Sequence, residues 1–439
     1  MRALVPLSLA LVVVGCNYFK REKSEATSAS AGTAAVLAPS AIASASASSA
    51  AKPSPCTVEA AVTVDTGVRA DAGITLVKLQ DGRIALGYAT GNGEPKVAIL
   101  DAAGKASFPD VEKEHLDGAE KKKDPKTHRA ILRVTPLGFV PGGMKMRVGV
   151  DMVDTFPDKT TYTRCGAADT VPLLMQGGPD DNGTGDEGRL VDCRTFSNGH
   201  KEWVLASMIS IAGAMEGKLP MRWIVDYQGK HAIDDVVLDE KMYDDKTLQK
   251  AEPWSFQVPV GLGVKDTGYV FASRQGGALV LARRDAHLQK QGKAVRFGLG
   301  AAAPTMPALA ALDHQAALFV GLYGKTDVLG TTFAIEAKPQ KPEKLALDDP
   351  NPPTEGDRNS LTASYTPKGD IFLAFADGPA TAKKARMTVL GGDLKSKVPV
   401  FDIATSGSEL RVVATGDQQA IVTYLAGNAI QSAAVSCKY

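Results

Sequence analysis

Chemistry in this 439-residue chain could be built from six histidines, five cysteines and one tight acidic loop. The loop is Asp180-Asp181-Asn182-Gly183-Thr184-Gly185-Asp186-Glu187, with carboxylates at Asp180, Asp181, Asp186 and Glu187. Hard oxygen ligands on a glycine-rich loop suit Ca²⁺. An EF-hand counted from Asp180 needs a bidentate glutamate at its last position, which here is Val191. The four acids therefore lack that ligand set, and the expectation is a solvated loop with no metal. The histidines (His115, His128, His200, His231, His287, His314) never stand four apart, and no His-Glu-x-x-His occurs, so nothing supports a zinc site. Neither a Cys-x-x-Cys pair nor a Gly-x-Ser-x-Gly elbow is present. The segment Gly298-Leu299-Gly300-Ala301-Ala302-Ala303 matches a loose dinucleotide fingerprint, but Pro304 and Pro307 deny it the helix whose N-terminus would hold a pyrophosphate. No catalytic set and no cofactor is expected.

Charge excludes another class. Lysine and arginine total 50 against 49 acidic residues, a formal net of +1, which is no footprint for nucleic acid. The run from Glu112 to Lys126, with Lys121-Lys122-Lys123 inside it, mixes both signs and reads as a solvated loop.

The N-terminus reads as an export and anchoring device. Arg2 precedes an apolar stretch, Ala3 to Val14, too short to span a bilayer and right for a signal sequence. It ends Val13-Val14-Gly15-Cys16, which resembles the lipobox of bacterial lipoproteins. That resemblance implies a signal peptide over 1–15, cleavage before Cys16 and acylation of Cys16. It also implies a lipid bilayer as partner and residence in the cell envelope. Asn17 after the cysteine leans toward the outer membrane. Residues 16–55 are rich in Ala, Ser and Pro without an apolar face, so they cannot offset their ordering entropy and are expected to form a disordered tether.

The elements that must position any site lie in 56–439. Ile74–Leu79, an Asp81-Gly82 turn and Arg83–Tyr88 form one predicted hairpin. The same shape recurs at 264–273, 312–322, 365–375 and 413–424. Phe271, Phe319, Phe372 and Val422 are spaced by 48, 53 and 50 residues, with Ala85, Arg147 and Val204 as earlier equivalents. A period of this size with several strands per unit predicts an all-β fold, a β-propeller of seven blades. Tandem β-sandwiches are the alternative. Long helices are not expected; Asp239 to Ala251 is the best short candidate. The architecture resembles propeller domains of bacterial envelope lipoproteins, without a WD dipeptide or a Ser-x-Asp-x-Gly-x-Thr-Trp box. Trp203, Trp223 and Trp254 read as packing between blades, and their region is the first guess for a ligand site. His314 falls in a hairpin turn.

Four cysteines remain after Cys16, in a compartment where disulfides persist. Cys165 and Cys193 flank the acidic loop and are expected to pair. Closing a propeller ring commonly takes an N-terminal strand into the C-terminal blade. Cys56 and Cys437 stand at the extreme ends of the folded region, so they too are expected to pair. The resulting functional expectation is a membrane-tethered, non-enzymatic binding or scaffolding module with an envelope protein or polysaccharide partner. An envelope hydrolase or lyase, or a carbohydrate-binding propeller, is the alternative.

Overall fold

The structure is a computed structural model. It describes residues 55–69, 73–79, 81–112, 128–140, 143–155, 157, 161–167, 189–197, 203–210, 221–227, 230–236, 260–264, 267–275, 277–285, 291–353, 356–379 and 383–439. Contacts divide the chain into Met1–Lys52 and Pro53–Tyr439, and the description concerns the second unit. Over 161–264 it concerns the backbone alone.

The described residues are all β, in seven antiparallel sheets. The first sheet runs β3 (Thr75–Lys78), β4 (Ile84–Ala89), β5 (Pro95–Leu100), β6 (Ala106–Ser107), and the second β7 (His128–Phe139), β8 (Met146–Thr155), β9 (Thr161–Ala167). The third holds β10 (Arg189–Ser197), β11 (Trp203–Ser210), β12 (Met221–Tyr227), β13 (Lys230–Val236). The fourth holds β14 (Val260–Val264), β15 (Gly268–Gln275), β16 (Ala278–Arg284), β17 (Val295–Gly298). The fifth holds β18 (Ala308–Leu312), β19 (Gln315–Leu322), β20 (Lys325–Ala334), β21 (Glu343–Lys344). The sixth holds β22 (Asn359–Tyr365), β23 (Ile371–Asp377), β24 (Lys384–Leu390), β25 (Ser396–Ala404). The last combines both ends of the domain: β26 (Ser408–Gly416), β27 (Gln419–Ala426) and β28 (Ala429–Cys437), with β1 (Cys56–Val58) and β2 (Val62–Asp65) both paired to β28.

The leading strands touch in a closed circuit: β3 meets β7, then β10, β14, β18, β22, β26 and β3 again. That circuit, with each sheet radiating outward from it, is a β-propeller. Ala85, Arg147, Val204, Phe271, Phe319, Phe372 and Val422 all fall on the second strand of a sheet. The period was legible because the second strand is the most thoroughly buried one. In β19, Ala316, Leu318 and Val320 face the fourth sheet, whereas Ala317 and Phe319 face the sixth. In β23, Ile371, Leu373 and Phe375 face the fifth sheet, whereas Phe372, Ala374 and Ala376 face the last. A strand covered on both faces reads as a continuous apolar run rather than an alternating one. The core is therefore a series of layers between neighbouring sheets.

The ring closes as the terminal segments imply. Cys56 lies opposite Cys437 in the β1–β28 register, and the two are joined with an S–S distance of 1.97 Å. Instead of one continuous closure strand there are two short ones, β1 and β2, separated at Glu59–Ala61. The closing sheet is also locked to the first. Asp65 on β2 accepts hydrogen bonds from Tyr88 Oη (2.6 Å) and Lys96 Nζ (2.7 Å) of that sheet. Burial opposes the Asp65 carboxylate, but the Lys96 and Tyr88 bonds and the lysine charge outweigh it and hold its pKa below the ordinary value. A depressed carboxylate contributes stability above its unfolded pKa of about 4 and loses it as pH falls through the lower folded value. The stability difference between wild type and Asp65→Asn, read by urea unfolding, should be present at neutral pH and shrink in acid. A difference that grew on acidification would contradict the lock.

Candidate ligand-binding site at the centre of the ring

The circuit of leading strands is fastened by short polar groups. Val412 and Ala414 of β26 donate their backbone N–H groups to Thr362 Oγ1 (3.2 Å) and Ser364 Oγ (3.0 Å) of β22. Gly73 N–H donates to the Leu132 carbonyl of β7 at 2.8 Å, and Thr75 Oγ1 donates to the Val134 carbonyl. Leading-strand edges are thus joined through main chain and hydroxyls.

Four leading strands share one irregularity. Register shifts by a bulge between Ile131 and Arg133 in β7, Leu190 and Asp192 in β10, Asn359 and Thr362 in β22, and Ser408 and Arg411 in β26. Ser360 and Glu409, inside two of these bulges, take positive φ values of 48° and 50°. A bulge re-aims the residues around it, and bulges recur beside functional sites. All four lie near the start of the leading strand, on what is here called the upper face. The turns between second and third strands reach the same face: Gly91 N–H donates to the Gly67 carbonyl, and Tyr323 N–H to the Ala303 carbonyl, both in segments leading into a first strand.

The residues beyond the bulges are Arg133, Asp192, Thr362 and Arg411. Two of them meet. Arg133 from β7 and the Glu409–Arg411 pair from β26 approach across Gly73, at the edge of the intervening first sheet. Gly73 has no side chain to separate them: a Cβ there would stand 3.3 Å from Arg133 Nε and 3.7 Å from Glu409 Oε2. Arg133 Nη1 donates to Asp151 Oδ2 of β8 at 3.0 Å; the arginine side chain is partly exposed and the aspartate buried. Arg411 Nη2 donates to Glu409 Oε2 at 3.1 Å and Nη1 to the Leu410 carbonyl at 2.6 Å. The Arg411 side chain is 27% exposed. Burial lowers the Arg411 pKa, the neighbouring Arg133 charge lowers it further, and Glu409 opposes both. A guanidinium remains charged at physiological pH regardless. The result is two partly exposed arginine side chains that feel each other's charge, each steadied by one carboxylate. Guanidinium forks bind a carboxylate or phosphate in bidentate fashion.

A second charged cluster, in the sixth sheet, is architectural. Arg386 donates to Asp349 (2.8 and 3.0 Å), Asp377 (2.8 Å), Asp402 (3.0 Å) and the Asn351 carbonyl. Arg358 pairs with Asp349 and Asp377 and lies over the Phe375 ring. Both arginines are buried, and they fasten the 345–358 connection onto its sheet.

The arginine pair lies in the second and last sheets, apart from the tryptophan region. Trp203 and Trp223 fall on β11 and β12, in the third sheet, and Trp254 lies outside the described residues. So do Cys16, Asp180, Asp181, Asp186, Glu187 and the 239–251 segment. Cys165 and Cys193 fall on β9 and β10, with their side chains outside the description. Among the described residues no cluster of three or more His, Cys, Asp or Glu side chains could hold a metal. His314 sits in the β18–β19 turn, exposed, 2.7 Å from Glu336 Oε1. Gly298 to Ala303 forms no helix. A signal for the arginine pair was nevertheless present: Leu-Arg-Val occurs at both 132–134 and 410–412.

No family model and no curated protein sequence matches the chain. Among solved structures it is similar to a protein of unknown function from Dyadobacter fermentans, at 12% identity and TM-score 0.45, over 88% of this chain and all of the other. It is similar to the NanB sialidase of Streptococcus pneumoniae at 11% identity and TM-score 0.43, over 85% and 70% of the two chains. A third similar structure is the Aleuria aurantia lectin, at 9% identity and TM-score 0.35, over 78% and 99%. Likenesses this weak carry no argument about activity.

Proposed function

We propose that this domain is a carbohydrate-binding propeller that takes an acidic sugar through Arg133 and Arg411. The observation that carries this reading is the approach of Arg133 and the Glu409–Arg411 pair across Gly73, from strands contributed by the second and last sheets. A sugar carboxylate would join two cations already held in position by Asp151 and Glu409, so little ordering is left to the moment of binding. The seven sheets act as seven blades, and the blade-joining region near the axis is where the ligand sits. This reading departs from a purely scaffolding role and keeps the expectation of a polysaccharide partner in the envelope.

Calorimetric titration with galacturonic acid and with its neutral counterpart galactose tests the reading. Wild type should bind the acid and not the neutral sugar. Arg133→Ala and Arg411→Ala should each weaken binding by about tenfold or more, the loss of a charge-assisted bidentate contact. Gly73→Ala, whose methyl would press on Arg133 Nε, should weaken it by a smaller factor. Equal binding of acid and neutral sugar, or unaltered affinity in both arginine variants, would overturn the reading.

The lipobox resemblance supports a second element of the proposal: the domain is held at the envelope membrane by acylated Cys16, with 16–55 as tether and 56–439 as the binding domain. Cys16→Ala should move the protein from the membrane fraction to the soluble fraction. Retention with membranes after cleavage at residue 15 would contradict it.

A further inference from the structure

Among the described residues the exposed large apolar side chains are Phe108, Met144, Tyr323 and Tyr439. Met144 sits in the β7–β8 turn and Tyr439 bonds to the Asp417 carbonyl in the β26–β27 turn, both on the lower face. Phe108 follows β6 at the outer edge of the first sheet, beneath Lys96. Tyr323 differs from all three: it occupies the β19–β20 turn on the upper face, the face that carries Arg133 and Arg411.

Tyr323 is also held in place. Its N–H donates to the Ala303 carbonyl at 2.9 Å. Its hydroxyl accepts a bond from Arg274 Nη1 of the fourth sheet at 3.1 Å, and the same nitrogen reaches the Pro304 carbonyl at 3.4 Å. Gly324, next in the turn, has a φ of 69°, a conformation that glycine adopts without strain. The Arg274 guanidinium lies over the ring, 5.5 Å from its centroid, yet Tyr323 is 46% exposed. An exposed ring that is already fixed loses little freedom when a partner stacks on the face opposite Arg274, and the guanidinium beside it can face the partner's polar substituents.

We propose that Tyr323 and Arg274 form a second subsite on the upper face, in which the ring stacks on a pyranose and Arg274 faces its acidic or hydroxyl substituent. This inference rests on the acidic-sugar reading of Arg133 and Arg411 and extends it. The two sites stand on different sheets of one face, so the ligand is a chain of uronic acid units rather than a single sugar.

The test compares galacturonic acid with a long oligogalacturonate, and mannuronic acid with a long oligomannuronate. Each is titrated into the full domain and its Tyr323→Ala and Tyr323→Phe variants. For wild type, one oligomer series should bind at least about tenfold more tightly than its monomer. Tyr323→Ala should abolish most of that gain while leaving the monomer affinity unchanged, because the monomer occupies the arginine site. Tyr323→Phe keeps the stacking ring and should retain most of the gain. Equal affinity of wild type and Tyr323→Ala for the oligomer overturns the inference, as does a monomer that binds as tightly as its oligomer. If oligomer binding survives Arg133→Ala and Arg411→Ala but is lost in Tyr323→Ala, the arginine reading fails and the tyrosine subsite stands. If neither series binds wild type, both fall.

Discussion

Cys56→Ser is expected to lower the thermal unfolding midpoint by roughly 5–10 °C under non-reducing conditions and to leave it unchanged in strong reductant. The Cys56–Cys437 bond joins residues 381 apart, and both sulfurs are buried against the core between the sixth and last sheets. In the chain-entropy account, closing a loop of that length raises the free energy of the unfolded chain by about 6 kcal/mol, an upper figure because residual structure already restricts that chain. The native contribution is local and specific. β1 is only three residues long, and β1 and β2 are what the N-terminal segment supplies to close the ring. Without the cross-link, three or four ladder residues on each strand must hold the seam alone, and fraying there exposes the edge of β28. Cys437→Ser should match Cys56→Ser, and the double variant should be no worse than either. A double variant clearly less stable than both singles would show that each cysteine acts by packing alone.

Arg386→Ala is expected to cost about 3–5 kcal/mol, read as a fall in the urea midpoint, because it leaves the buried Asp349 and Asp377 to share Arg358 as their one remaining counter-charge. Asp349 and Asp377 are 6% and 2% exposed, and Arg386 bonds to both. Burial opposes the Arg386 charge, but the bonds and charges of Asp349 and Asp377 outweigh it and raise its pKa. Asp402 is a built-in control. It also bonds to Arg386, but it is 50% exposed, so Asp402→Asn should cost under about 1 kcal/mol. Arg386→Lys should recover only part of the loss, since one ammonium cannot replace a planar fork reaching three carboxylates. If Arg386→Ala cost no more than Asp402→Asn, the cluster would not be fastening the 345–358 connection.

By itself the sequence determined the repeat and its closure. Phe319, Phe372 and most of their equivalents mark second strands because such a strand is covered on both sides and must be largely apolar, a constraint that acts locally and survives in one dimension; Arg147 on β8 marks its strand by spacing alone. Cys56 and Cys437 were legible because a ring has only one seam and the chain ends must meet there. The doubling of the closure into β1 and β2 was not legible, since both lie in one short run of strand-forming residues. The candidate site belongs to the tertiary structure. Arg133 and Arg411 are 278 positions apart in a chain of 439, and nothing in either Leu-Arg-Val segment says that the two will face each other. Three features decide it: the ring brings the second and last sheets to either side of the first, the bulges re-aim the residues that follow them, and Gly73 leaves the gap between. Arg386 and Arg358 illustrate the same limit. Each reads as an ordinary surface charge until the fold buries it between Asp349 of a connection and Asp377 of β23, and only that enclosure turns a common residue into one the sheet depends on.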